Sequence, residues 1–83
     1  MLEELKQDNK VVGIKQLRRA LANGGACKVF LAEDADPALT GPIIQTCAQQ
    51  NVPCVRVATM RELGAACGIC VGAACAAILR ANA

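Results

Sequence analysis

Histidine, serine, tryptophan and tyrosine are absent from this 83-residue chain, and Phe30 is its only aromatic residue. Without histidine or serine, the usual nucleophile–base pairs of hydrolytic catalysis cannot be assembled, and a cysteine nucleophile lacks its ordinary base. The chain is therefore expected not to be an enzyme and to need no cofactor. One aromatic side chain also argues against reading single-stranded bases by stacking them on a sheet surface. Long hydrophobic runs are missing as well. The longest apolar stretch, Ile69 to Leu79, is too short to cross a bilayer. Met1 to Lys10 is acidic and polar, unlike an export signal. A soluble, cytoplasmic protein without a membrane partner is expected.

What remains is small and aliphatic. A chain of this length holds one domain, residues 1–83, whose core must be built from Val, Ile, Leu, Ala and Cys. The net charge is only +2, but Lys10, Lys15, Arg18 and Arg19 fall in one ten-residue window that holds no acid. Such a stripe is either an electrostatic footprint for a polyanion or the solvated face of a helix.

The periodicity alternates between helix and strand. A weak helical signal covers Leu2 to Gln7, and Val11-Val12 reads as an edge strand. Gly13 precedes a helix from Lys15 to Ala22, with Leu17, Ala20 and Leu21 on one face and Asn23-Gly24-Gly25 as its stop. Cys27 to Ala32 is a continuous apolar strand. Glu33-Asp34-Ala35-Asp36-Pro37 then announces a helix over Ala38 to Gln50, expected to bury Leu39, Ile43, Ile44, Cys47 and Ala48. Cys54 to Val57 is a second apolar strand, Thr59 caps a helix over Met60 to Ala66, Cys67 to Cys70 is a loop, and Gly72 to Leu79 reads as a last strand buried on both faces. This alternation predicts a layered α/β/α domain.

Six cysteines are the most conspicuous chemistry. Cys67 and Cys70 have metal-like spacing, but a structural zinc site normally needs four thiolate or imidazole ligands, and the second pair would have to come from Cys47, Cys54 or Cys75. These lie on a helix end and in strands expected to be buried. A redox pair needs its first cysteine at a helix N-terminus, whereas Cys67 follows a helix C-terminus. Reduced cysteines used as small apolar core residues, in Cys27, Cys54 and Cys75 above all, are the simpler reading. A cysteine-dependent metal-binding or redox-sensing module stays as the alternative function. Glu33, Asp34 and Asp36 are explained more simply as helix caps than as a magnesium site.

Lys15, Gln16 and Arg19 share one side of the basic helix, and Arg18 lies toward the other flank. Lysine and arginine hold phosphates, glutamine offers a base edge both donor and acceptor, and Gly13 lets a ligand approach the first helical amides. An ordinary amphipathic helix with a basic outer face would carry the same residues.

In order and spacing, three stretches resemble the ribosomal protein L-seven-Ae family, in particular its short bacterial members. They are Gly13-Ile14-Lys15-Gln16 with Arg19-Ala20-Leu21, then Ala32 to Pro37, then Leu63-Gly64 through Ala66-Cys67-Gly68-Ile69 to Val71-Gly72-Ala73-Ala74. The resemblance runs from about Val12 to Leu79. It implies a three-layer α/β/α sandwich with a mixed four-stranded sheet, acting as a monomer on structured RNA with a kink-turn, ribosomal RNA included. It further implies an RNA site where the first helix (Gly13, Ile14, Lys15, Gln16, Arg19) meets the loop carrying Ile69, Cys70, Val71 and Gly72. In archaeal and eukaryotic members, asparagine and glutamate at the positions of Lys15 and Gln16 contact guanines of tandem sheared G·A pairs, and a lysine stands at Arg19. The lysine–glutamine pair resembles the bacterial subgroup. Many relatives carry glutamate at Cys70, so here that position is expected to give apolar packing only. Some relatives keep the fold as a protein-interaction domain without RNA affinity, which is the remaining alternative.

Overall fold

The computed structural model describes Leu5 and residues 9–80. The helical signal over Leu2 to Gln7 lies outside the described residues apart from Leu5, which is fully buried. The elements run β1 (Lys10–Val12), α1 (Ile14–Ala22), β2 (Ala26–Ala32), α2 (Pro37–Gln50), β3 (Cys54–Val57), α3 (Met60–Ala66) and β4 (Cys75–Leu79).

The sheet has four strands in the order β1-β4-β2-β3. β4 lies antiparallel between β1 and β2, whereas β2 and β3 are parallel, as a strand–helix–strand crossover requires. Strand alternation divides the core in two. Val29 and Leu31 of β2 and Cys75 and Ala77 of β4 face α1 and α2, meeting Leu17, Leu21, Ile43 and Cys47. Phe30, Ala32, Ala76 and Ile78 face the opposite way and join Leu5, Leu63 and Cys67. The result is a three-layer α/β/α sandwich with a mixed sheet. Alanine and cysteine in β4 keep that central strand thin enough for both helical layers to close on it.

The helix boundaries follow local chemistry. Asp36 accepts the Ala38 amide at 2.9 Å and Pro37 opens α2. Asn51, in the left-handed region at φ 57°, closes it. The Thr59 hydroxyl accepts the Glu62 amide at 3.0 Å, while Asp34 accepts the Met60 amide at 2.7 Å. Two of the three acids before and beside these helices are thus caps.

Several sequence expectations require correction. The last strand begins at Cys75, not Gly72, because the Ala73 amide leaves the sheet to bond the Met60 carbonyl at 3.0 Å. Leu39 is 45% exposed and Ala48 is exposed, so α2 buries mainly Ile43 and Cys47, with Ile44 half-buried. Leu39 lines an open groove between α1 and α2 instead of the core. Cys54 is exposed and Cys27 only partly buried, so of the three strand cysteines Cys75 alone fills the core. β3 is an edge strand, and its first residue, Cys54, stays exposed although it meets Cys47 of α2.

Candidate nucleic-acid interface

Gly13 turns the chain from β1 into α1 at φ 99°, ψ 159°, a conformation that other residues adopt only under strain. Its amide donates to the Cys75 carbonyl at 3.0 Å. The start of α1 is therefore fixed to the start of β4, at the sheet end where the Cys67–Ala74 connection arrives. No side chain caps α1, and no acid sits in its first turn, so its positive end is left uncompensated.

Lys15, Gln16, Arg18 and Arg19 are all exposed. Their directions differ. Gln16 and Arg19 line a concavity on the β1 side of the helix, together with Asn23 and Arg80. Arg18 lines a separate groove against Leu39 and Pro42 of α2. Ile14 lines that second groove too and packs partly buried against the α1–α2 core, so its side chain points away from Gln16. Lys15 lines neither concavity, and helical spacing places it between the two flanks.

The Cys67–Ala74 connection is clamped onto α3. The Ile69 amide donates to the Gly64 carbonyl at 3.1 Å, and Gly68 takes the positive φ of 81° that ends the helix. Gly64 has no β-carbon because the Val71 carbonyl occupies that space. At Gly72 a β-carbon would meet that of Met60 at 3.1 Å. The loop thus holds its shape while presenting Ile69 at 37% and Val71 at 70% exposure, with Cys70 exposed between them. Ile69, Cys70, Val71 and Gly72 line a concavity with Asp34 and Arg61. The loop and the start of α1 thus lie at one end of the sheet, the helix on one face and the loop's anchor α3 on the other.

Metal or thiol chemistry finds less support. Cys67 belongs to the core on the α3 face and Cys47 to the core on the α1–α2 face. Cys54 lies beside Cys47, so these two meet each other but not Cys67 and Cys70. Among the described residues no three of Cys, Asp and Glu gather as a ligand set. Burial pushes the Cys47 and Cys75 thiols up to about 11, Cys47 with a smaller contribution from Cys54. Burial also raises Cys67, opposed by nearby Lys10. Protonated thiols of this kind are poor nucleophiles and poor metal ligands at neutral pH.

Sequence reasoning missed Arg80 and Asn23. Asn23 registered only as part of a helix stop, and Arg80 lies 56 positions from the Gly24 carbonyl to which it bonds. No local pattern announces a pairing made only when β4 completes the sheet. Among the described residues no helix is long and apolar enough to cross a membrane.

The same architecture recurs in known proteins. A profile of the ribosomal protein L7Ae/L30e/S12e/Gadd45 family matches residues 2–83. An RNA-binding protein of Geobacillus sp. is 46% identical over 76 residues, spanning 92% of this chain and 93% of its own. RNA-binding protein YbxF of Geobacillus stearothermophilus is 46% identical over 79 residues, or 94% and 96% of the two chains. The solved structure of the Giardia lamblia 15.5kD RNA binding protein superimposes with a TM-score of 0.88 at 26% identity, covering 98% of this chain and 72% of that one. With nearly the whole chain matched in sequence and in fold, this protein belongs to the ribosomal protein L7Ae/L30e/S12e/Gadd45 family.

Proposed function

We propose that this protein binds structured RNA and recognises kink-turns, stabilising the bent conformer of a ribosomal or regulatory RNA in the cytoplasm. The observation that carries the reading is the exposed Lys15-Gln16 and Arg19 set on a helix whose start is tied to β4 beside the Ile69–Gly72 loop. Relatives at 46% identity that carry the name RNA-binding protein support the coarser part of it.

The chemistry is that of a binder. A sharp kink opens the major groove that duplex RNA normally closes to side chains. Gln16 supplies a donor and an acceptor to a guanine edge, Lys15 reaches a guanine acceptor or a phosphate, and Arg19 neutralises backbone near the bend. Ile69 and Val71, with Cys70 between them, cover an unstacked nucleotide by apolar contact. The protein shifts the RNA toward the kinked state only by its differential affinity for that state.

The test is a titration into a fluorescently labelled kink-turn duplex and a control whose tandem G·A pairs are replaced by Watson–Crick pairs. Binding to the first, weakened by salt, is expected. Equal affinity for both would contradict kink-turn recognition, and affinity for neither would contradict RNA binding altogether.

A further inference from the structure

The concavity on the β1 side of α1 reaches beyond the residues assigned to the kink. It has a volume of about 490 Å³; Val11, Ala20 and Leu79 line it with apolar surface, and Gln16, Arg19, Asn23 and Arg80 supply its polar side chains. Arg80 is held there at two points. Its amide donates to the Gly25 carbonyl at 2.7 Å, and its side-chain Nε donates to the Gly24 carbonyl at 2.8 Å. A guanidinium carries five N–H donors, and this contact uses one of them. Among the described residues nothing engages the two terminal amino groups, so the fork is oriented in advance with its outer donors unspent.

Asn23 is fixed in a similar sense. Its Oδ1 accepts the Gly25 amide at 2.9 Å, which holds the side-chain amide in place. Gln16, Arg19 and Asn23 follow one another along one side of α1, over a rise of roughly 10 Å. Arg80 faces them from the C-terminal end of β4. No carboxylate lines the concavity among the described residues. The polar side chains of the groove include two cations and no carboxylate, with Gln16 Oε1 as their one uncommitted acceptor, a set that suits phosphate oxygens beside an apolar lining. Through Gln16 and Arg19 it is continuous with the surface assigned to the kink.

We propose that Arg80, with Arg19 and Asn23, forms a phosphate-binding rail for the RNA backbone of the stem leading away from the kink. This extension rests on the RNA-binding reading above. It contributes affinity and register rather than sequence recognition, because phosphates are alike in every stem.

The experiment compares the full chain with Arg80→Ala, Arg80→Lys and Lys15→Ala on one kink-turn duplex at 50 and 200 mM salt, after thermal melts show each variant folded. Loss of one phosphate contact should make the salt-induced drop in affinity about threefold smaller for Arg80→Ala. The same change should appear whatever the stem sequence. Arg80→Lys should retain most of the salt dependence, because the charge remains while the fork is lost. Arg80→Ala binding like the parent chain would overturn the rail, as would weaker binding with an unchanged salt slope, since that marks a structural effect. Either result accompanied by weakened Lys15→Ala binding would leave the kink-turn reading intact. A parent chain that binds no kink-turn would overturn both.

Discussion

The Val71 carbonyl oxygen sits in the space that a β-carbon on Gly64 would fill. Leu63 beside it is fully buried under the sheet, so the helix cannot withdraw to make room. The loop carrying Ile69 and Val71 is therefore seated by an absent methyl group. Gly64→Ala is expected to destabilise the fold by about 1–3 kcal/mol, the usual cost of overpacking a closed site. It should also weaken RNA binding beyond what that stability loss explains. Chemical denaturation with titration of the folded variant checks both, and unchanged binding would mean the loop is not part of the interface.

Lys15 and Gln16 make few contacts with the fold, so their removal should leave stability almost untouched. Each of Lys15→Ala and Gln16→Ala is expected to cost about 1–3 kcal/mol of kink-turn affinity if it contacts a guanine. The Gln16 change should also narrow the gap between the kink-turn and its Watson–Crick control. Filter binding with both variants at parental affinity would remove α1 from the site.

Helix and strand positions were legible because caps and periodicity agree: Thr59 before α3, Asp36 and Pro37 at α2, Leu17, Ala20 and Leu21 along α1. The start of β4 was not. Gly72-Ala73-Ala74 is as apolar as the strand it precedes, and only the tertiary bond from Ala73 to Met60 draws it out of the sheet. Leu39 stands exposed for the converse reason: a helical apolar position is core only if its neighbour closes on it, and the groove between α1 and α2 stays open there. The exposed set on α1 was readable from its spacing, whereas Arg80 joins it only once β4 is seated between β1 and β2.

The buried thiols give a pH signature. Cys75 and Cys47 have ordinary values near 9 raised to about 11, so the folded state prefers the neutral thiol. The sign follows from linkage: the stabilising contribution is complete below about pH 9 and is lost as the pH climbs toward 11. Urea midpoints should hold between pH 7 and 8 and fall above 9, and Cys75→Ala should flatten that fall. A midpoint that rises across this range would contradict the burial of these groups.

Thr59 caps a helix of only seven residues, on which the loop's anchor at Gly64 depends. Thr59→Ala should cost about 1 kcal/mol, the typical value for a lost cap, and Thr59→Asp should restore most of it. Thermal denaturation of the pair separates cap loss from a general surface effect.

The most direct measurement of the central claim uses a duplex with a kink-turn at its middle, a donor dye on one end and an acceptor on the other, in low salt without divalent ions. Adding the protein should raise energy transfer in a saturable way, and the duplex with Watson–Crick pairs at the kink should stay extended. No rise with the kink-turn, or the same rise with both duplexes, would contradict the claim that this protein recognises and holds a kinked RNA.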